Sequence, residues 1–245
     1  MKKVALVTGG MGGLGTAMCK SLAKSGFTVV TTYLGNEEKR QKWLSDAVLD
    51  NHDFKAYVCD VANYESCVAA VNMIKQEIGH IDVLVNNAGI TRDGTLKRMT
   101  KSSWDEVINT NLGGVFNMTK QVVDDMVEKG WGRIINISSI NGQKGQFGQA
   151  NYSAAKAAVH GFTMALAQET AKKGVTVNTI APGYIATEMV LAVPEEIRNK
   201  IISQIPVGRL GKPEEIAALV SYLVSDLAGF MTGAELAING GQHMM

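Results

Sequence analysis

The stretch that decides the fold is Val4-Ala5-Leu6-Val7-Thr8-Gly9-Gly10-Met11-Gly12-Gly13-Leu14-Gly15. It begins as a continuous apolar run, as expected of a central parallel strand that is covered on both faces. The glycines that follow let the backbone turn tightly, and a helical pattern begins where they end. A pyrophosphate fits such a turn, because the backbone can approach it closely and its charge is favoured at a helix N-terminus. Taken alone, the glycines are also compatible with a flexible loop.

Apolar strands and amphipathic helices alternate through the rest of the chain. Further strands are predicted at residues 27–33, 54–59, 81–86, 133–138, 175–180 and 235–238. Long helices are predicted at 101–130 and 149–172, and a mostly helical excursion at 187–225. No linker or low-complexity segment interrupts this alternation. We therefore predict an α/β protein with a single domain at 1–245, built on a Rossmann-type doubly wound parallel sheet of seven strands with helices on both faces.

The composition argues against several classes of protein. The chain has 24 basic and 23 acidic side chains, whereas a nucleic-acid-binding protein would usually show a basic stripe. The cysteines Cys19, Cys59 and Cys67 form no Cys-x-x-Cys motif, and the histidines show no ligand spacing. No apolar run approaches the length of about 18 residues that a membrane span requires. We expect a cytoplasmic protein with no metal, no nucleic-acid partner and no membrane association.

A candidate catalytic pair lies near the start of the second long helix. Tyr152 and Lys156 are four residues apart, so they stack on one face of a helix. A tyrosine hydroxyl titrates near pH ~10 in water, and a neighbouring ammonium would lower that pKa. A hydroxyl from Ser139 could hold a carbonyl oxygen while Tyr152 donates its proton. This pattern predicts ketone reduction or alcohol oxidation, the alternative being a solvated pair on a helix surface.

Several motifs occur in one order along the chain. They are Thr8-Gly9-x-x-x-Gly13-x-Gly15, Asp60-Val61, Asn86-Asn87-Ala88-Gly89, Asn109-Thr110-Asn111-Leu112, Ser139, Tyr152-x-x-x-Lys156 and Pro182-Gly183. Together they cover almost the whole chain, and in this order they resemble the short-chain dehydrogenase/reductase family. The resemblance implies hydride transfer between a nicotinamide dinucleotide and a carbonyl carbon, with Tyr152 protonating the oxygen.

The resemblance also implies roles for the matching residues. Ser139 would polarise the carbonyl, Lys156 would lower the pKa of Tyr152 and anchor the nicotinamide ribose, and Asn111 would hold a water that relays protons to Lys156. The implied cofactor-binding residues are Gly9, Gly12, Gly13, Leu14, Gly15, Asp60, Val61, Asn87, Ala88, Gly89, Tyr152, Lys156, Pro182, Gly183, Ile185 and Thr187.

The end of the second predicted strand indicates which dinucleotide is bound. An NAD enzyme usually places a carboxylate there to accept the ribose 2′-hydroxyl, but residues 31–36 contain no acid. Lys39 and Arg40 follow, and a 2′-phosphate favours a positive partner, preferably a guanidinium. We therefore predict NADPH/NADP+ as the cofactor, with Arg40 as the contact. The alternative is that both residues are ordinary solvated charges.

Three stretches narrow the resemblance to family members that reduce 3-oxoacyl thioesters. These stretches are residues 130–133, 139–149 and 161–169. They imply a small-molecule substrate linked to coenzyme A, namely acetoacetyl-CoA, reduced to (R)-3-hydroxybutyryl-CoA for polyhydroxybutyrate synthesis. The same group carried by acyl-carrier protein, as in fatty acid synthesis, is the alternative. A non-catalytic NADP(H)-binding regulator would have little use for Ser139, Tyr152 and Lys156 together.

Substrate contacts are predicted on both sides of the catalytic residues. Gln146, Phe147 and Gln149 lie between the candidate serine and tyrosine, although such a loop is often only an exposed turn. Tyr184 is predicted to form a wall of the substrate site. Residues 187–210 are predicted to form a mobile lid, with an ordinary surface helix pair as the alternative. The resemblance further implies a homotetramer, in which helices 101–130 and 149–172 pair with their symmetry mates.

Overall fold

The computed structural model describes residues 2–244. Met1 and Met245, the ends of the predicted domain, lie outside the described residues, as does the side chain of Met189 in the predicted lid.

Seven parallel strands form one sheet in the order β3-β2-β1-β4-β5-β6-β7. The strands are β1 (Val4–Thr8), β2 (Thr28–Tyr33), β3 (Lys55–Val58), β4 (Ile81–Asn86), β5 (Gly132–Ile137), β6 (Val175–Pro182) and β7 (Glu235–Ile238). The predicted fold class is confirmed, and β4 and β7 have the predicted bounds. The strand order reverses between β1 and β4, and open α/β sheets bind ligands beyond the carboxyl ends of the strands at such a point.

The helices cover both faces of this sheet. They are α1 (Gly13–Lys24), α2 (Glu37–Leu49), α3 (Tyr64–Glu77), α4 (Lys101–Ile108), α5 (Gly114–Lys129), α6 (Ile140–Lys144), α7 (Ala150–Thr170), α8 (Glu188–Leu191), α9 (Glu195–Ser203) and α10 (Pro213–Leu223). Val7 packs with Met18 and Val220 on one face, whereas Leu6 packs with Ile74 on the other. Alternate side chains of a strand point to opposite faces, so the continuous apolar run of β1 supplies both cores.

A turn of π-helix interrupts the predicted helix at 101–130. It spans Asn109–Gly113 and separates α4 from α5. Such π-turns inside helices are rare and are frequent at functional sites. The π-turn is only five residues long, and the apolar residues on either side of it keep the spacing of an α-helix. The apolar pattern therefore predicts one continuous helix. The turn holds Asn111, which is fully buried.

Residues 2–244 contain neither a membrane-spanning helix nor a cluster of metal-ligating side chains. The helices there include none with both the length and the apolar character needed to cross a bilayer. The same part of the chain contains no group of three or more His, Cys, Asp or Glu side chains placed to hold a metal ion.

Candidate active site

A large crevice opens where the strand order reverses. Its volume is about 1090 Å³, and six segments that are separated in the sequence line it. Of the predicted cofactor-binding residues, those in its lining are Gly9, Gly12, Gly13, Leu14, Gly15, Asp60, Val61, Asn87, Ala88, Gly89 and Thr187. The structure therefore brings most of the predicted dinucleotide contacts to one place.

The glycine turn can pack closely against the start of α1 only because Gly15 has no side chain. A Cβ added to Gly15 would lie 2.6 Å from both the Gly9 carbonyl oxygen and the Gly10 Cα. Gly9 itself has a φ of +63°, a left-handed conformation that side chains disfavour. The turn leads into α1 at Gly13, so unpaired backbone amides of the first helical turn point into the crevice. These features fit a pyrophosphate.

Hydrogen bonds join the two walls of this crevice. The Thr8 hydroxyl oxygen accepts from the backbone amides of Asn87 at 2.9 Å and Ala88 at 3.0 Å. The side chain of Asn87 also donates to Thr8, from Nδ2 to the carbonyl oxygen at 2.9 Å. The ends of β1 and β4 are thus fixed relative to each other, and the segment at residues 87–89 is held beside the glycine turn.

Arg40 lies outside the lining of the crevice. Tyr33 and Leu34 line it at the end of β2, and the Arg40 guanidinium pairs with Glu37. The Tyr33 hydroxyl also donates to Glu37, at 2.7 Å. These partners, Tyr33 first and then Arg40, hold the pKa of Glu37 below its usual value. The predicted contact between Arg40 and a 2′-phosphate would require the guanidinium to leave Glu37.

The candidate catalytic residues line a second cavity of about 280 Å³. Its walls include Ser139, Tyr152 and Lys156, and it shares Leu14 and Thr187 with the crevice. The remaining predicted residues in its lining are Asn87, Gly89, Gln149, Pro182, Gly183, Tyr184 and Ile185. A carbonyl group bound here would therefore lie next to the end of the crevice.

Burial controls the protonation of both candidate catalytic groups. The Lys156 ammonium lies 5.7 Å from the centre of the Tyr152 ring and donates to the Ile137 carbonyl oxygen at 2.7 Å. Burial lowers the pKa of Lys156 to about 8. Burial also raises the pKa of Tyr152, and the hydrogen bond with Ser139 opposes that rise. The predicted lowering of the Tyr152 pKa by Lys156 stays a prediction.

Asn111 lies beside these groups but is held by the backbone. Its Oδ1 accepts from the Ile90 amide and its Nδ2 donates to the Ile90 carbonyl oxygen, both at 2.8 Å. A Cβ added to Gly89 would lie 3.0 Å from Asn111 Oδ1 and 3.7 Å from Lys156 Nζ. The side chain therefore fixes the segment that separates crevice and cavity. The predicted water-holding role of Asn111 stays a prediction.

The predicted substrate contacts divide into two pairs. Gln149 and Tyr184 line the second cavity, and Gln149 donates to Asp93 at 2.9 Å. Gln146 and Phe147 are exposed and belong to the lining of neither cavity, with Phe147 87% exposed. The short helix α6 explains this, because it begins directly after Ser139 and carries the following residues away from the cavity.

A buried polar network behind the cavity was missed by sequence reasoning. His160 Nε2 lies 2.8 Å from the Ser138 hydroxyl oxygen, and His160 Nδ1 lies 2.7 Å from Glu235 Oε2. The Ser138 hydroxyl donates to the Lys156 carbonyl oxygen at 2.9 Å. Glu235 also accepts from Gln143 of α6. The network thus joins β7 to the immediate neighbours of the catalytic residues, and no sequence spacing links its members.

Comparisons with known proteins agree with this arrangement. A family model described as short chain dehydrogenase matches residues 3–198. The chain is 57% identical to the acetoacetyl-CoA reductase of Cupriavidus necator over 243 residues, 99% of each chain. It is 54% identical to that of Allochromatium vinosum over 245 residues, 100% of each. It is 46% identical to a Vibrio cholerae 3-oxoacyl-acyl-carrier-protein reductase over 243 residues, 99% of this chain and 98% of the relative.

Proposed function

The chain belongs to the short chain dehydrogenase family, and on this basis we propose that it reduces acetoacetyl-CoA to (R)-3-hydroxybutyryl-CoA with NADPH. It is an oxidoreductase that acts on a CH–OH group with a nicotinamide cofactor. The product would serve polyhydroxybutyrate synthesis in the cytoplasm. The single observation that carries the proposal is that Ser139, Tyr152 and Lys156 line one cavity, which meets the glycine-lined crevice.

The residues of the cavity divide the chemistry among them. When bound, the dihydronicotinamide supplies the hydride. Tyr152 holds its proton at neutral pH because burial raises its pKa, so its hydroxyl is ready to donate to the oxygen of a ketone. Ser139, which lines the same cavity as Tyr152, would donate to the same oxygen and orient it. Lys156, with its pKa lowered to about 8, is mostly protonated at neutral pH and holds the cofactor ribose.

The preference for NADPH rests on charge at the end of β2. The residues that line the crevice there, Tyr33 and Leu34, offer no carboxylate to the ribose 2′-hydroxyl. Arg40 lies on α2 close by, with its guanidinium 5.9 Å from the centre of the Tyr33 ring. We propose that a 2′-phosphate draws Arg40 away from Glu37, since a phosphate offers a guanidinium two parallel hydrogen bonds and a larger charge.

The acyl carrier separates the proposal from its nearest alternative. Relatives named acetoacetyl-CoA reductase match at 49–57% identity, and the carrier-protein reductase at 46%. The experiment compares acetoacetyl-CoA with acetoacetyl-acyl-carrier protein at matched concentrations, following the absorbance of NADPH. We expect kcat/KM to favour acetoacetyl-CoA. A preference for the carrier protein would reassign the enzyme to fatty acid synthesis, and an absence of turnover with either would refute the reductase itself.

The same assay with NADH tests the cofactor. We expect kcat/KM to be higher with NADPH, and equal values would refute the assignment.

We also propose that the protein forms a homotetramer through the helices that follow the π-turn and carry the catalytic pair. Phe116 on α5 and Met164 on α7 are about half exposed, at 51% and 53%, which supports burial against a symmetry mate. Light scattering of the purified protein tests this, and a monomeric mass would refute it.

A further inference from the structure

A third cavity shares part of its lining, including Tyr184, with the cavity that holds the catalytic residues. Its volume is about 220 Å³, and Gly183, Tyr184 and Ile185 line both it and the substrate cavity. Much of its remaining wall is aliphatic, with Ile205, Val207, Ile216 and Ile238 among the lining residues. The two cavities are therefore neighbours that the segment at 183–185 separates.

The backbone of this partition is fixed. The Gly183 amide donates to the Ile238 carbonyl oxygen at 3.0 Å, and the Gly211 amide donates to the Tyr184 carbonyl oxygen at 2.9 Å. A Cβ added to Gly183 would lie 2.8 Å from the Asn239 Cα, so this end of the segment has no room to shift. The Ile185 side chain, which also lines both cavities, is buried and packs against Gly211, so any opening between the cavities must come from the Tyr184 side chain.

The Tyr184 side chain has no such anchor. Among the residues that the structure describes, none hydrogen-bonds to its hydroxyl, whereas Tyr33 and Tyr57 donate to Glu37 and Glu77 at 2.7 and 2.9 Å. Tyr184 is half-buried and belongs to the lining of both cavities.

The lining of the third cavity includes an ion pair. Arg209 donates two hydrogen bonds to Glu215, at 2.8 and 2.7 Å, and Glu215 also accepts from the Lys212 amide at 2.7 Å. The charges of Arg209 and Glu215 neutralise each other, so this pair offers no unpaired charge to a group bound in the cavity. An uncharged aliphatic group suits it. An apolar cavity of about 150 Å³ holds benzene, which has six carbon atoms. A cavity of about 220 Å³ therefore has room for an alkyl group of roughly six carbon atoms.

We propose that Tyr184 sets the acyl-chain limit of the enzyme, and that the cavity behind it is a site for the alkyl tail of a longer 3-oxoacyl thioester. This inference rests on the proposed function, because the tail belongs to the substrate that Ser139 and Tyr152 hold. With Tyr184 in place, the substrate cavity ends at its ring and favours a four-carbon acyl group. With a small side chain there, the two cavities join, and carbons beyond the fourth enter the aliphatic space.

The test measures kcat/KM with NADPH for acetoacetyl-CoA, 3-oxohexanoyl-CoA and 3-oxooctanoyl-CoA. For Tyr184→Ala, we expect the eight-carbon to four-carbon ratio to rise at least about tenfold over the wild-type ratio, because each buried methylene adds binding energy. Tyr222→Ala is the matched control, since this half-exposed tyrosine on α10 lines neither cavity and its removal should leave the ratio unchanged. Thermal unfolding checks that each variant is folded, and Tyr184→Leu replaces the alanine variant if that one is not.

A second substitution locates the tail. Ile205→Phe in the Tyr184→Ala background fills the third cavity, and we expect it to return the ratio to the wild-type value. Val207→Phe serves the same purpose if Ile205→Phe does not fold. An unchanged ratio in Tyr184→Ala would overturn the inference, as would a raised ratio that both filling substitutions leave intact. A wild-type enzyme that reduces no thioester would refute the proposed function instead, and the inference with it.

Discussion

Main-chain atoms form the wall of the crevice beside the glycine turn, whereas side chains form the wall of the neighbouring cavity that holds the catalytic residues. In the crevice, Gly15 leaves space by having no side chain, and the amide groups of Asn87 and Ala88 fix the walls. In the cavity, the reactive groups are the side chains of Ser139, Tyr152 and Lys156.

This difference determines how each site responds to mutation. A backbone-built site is damaged by adding atoms, since the space it offers is already shaped by close contacts. A site built from side chains is damaged by removing atoms, because each group performs a separate step. Both rules can be tested at single residues.

Removing the hydroxyl oxygen of Tyr152 from the catalytic cavity should have the largest effect on kcat. Tyr152→Phe takes away the proton donor, and we expect kcat for acetoacetyl-CoA to fall by about 10²–10⁴-fold. The dissociation constant of NADPH, measured by fluorescence titration, should change little because the crevice keeps its shape. A variant that retains more than a tenth of the wild-type kcat would remove Tyr152 from its role.

Adding one methyl group to the crevice should act on binding and stability instead. Gly15→Ala forces contacts of 2.6 Å with Gly9 and Gly10, and overpacking of this kind typically costs about 1–3 kcal/mol. We expect a lower Tm, by about 2–4 °C for each kcal/mol, and weaker NADPH binding. Gly12→Ala is the matched control for Tm, because its Cβ would approach no closer than 3.7 Å to the Gly9 carbonyl oxygen. Equal losses of Tm in the two variants would contradict the steric argument.

Arg40 should be an exception to the contrast between main-chain and side-chain sites, because here a side chain is proposed to bind the cofactor in the crevice. Arg40→Ala removes a charged hydrogen-bond donor worth about 1.5–3 kcal/mol, so the KM for NADPH should rise roughly ten- to hundredfold. The KM for NADH should stay constant, because NADH carries no 2′-phosphate. Lys42→Ala, an exposed lysine on the same helix, serves as the control. Parallel changes with both cofactors would exclude recognition of the phosphate by Arg40.

The buried lysine makes stability depend on pH. The pKa of Lys156 is lowered from 10.5 to about 8 by burial, so the unfolded chain binds more protons between these values. The contribution of Lys156 to the free energy of unfolding should therefore rise with pH from about 8 to 10.5, and stay constant below 8. Urea unfolding of the wild type and of Lys156→Met, at pH 7.5 and 9.5, measures the difference. A difference that is the same at both pH values would contradict it.

The sequence predicts the main-chain features better than the side-chain network. β4 and β7 have the predicted bounds, and the glycine turn joins β1 to α1 as expected. These features depend on local patterns, namely apolar runs, alternation and a turn that requires glycine. The bounds of β6 were less accurate, because Ala181 and Pro182 continue the strand beyond its last β-branched residue.

What the sequence could not predict depends on contacts between distant residues. The π-turn at Asn111 is stabilised by the Ile90 backbone, and α6 is too short to produce an apolar period. Burial dominates the pKa of Tyr152, and burial follows from the packing of the whole site. The contact of His160 with Glu235 spans most of the C-terminal third, so no local pattern could indicate it.

Changing the contact between His160 and Glu235 should have the smallest of the predicted effects, and it tests the polar network behind the catalytic cavity. Burial, together with the charge of Lys156, lowers the pKa of His160, while Glu235 raises it. Glu235→Gln keeps the shape but removes the charge, so the pKa of His160 should fall further. Proton NMR titration of the imidazole resonances measures it, and the other histidines serve as internal references. Because the imidazole would then lose protonation at a lower pH, its hydrogen bonds to Ser138 would stay in the neutral arrangement over a wider range. A pKa that rises or does not move would mean that Glu235 contributes no negative charge to this network.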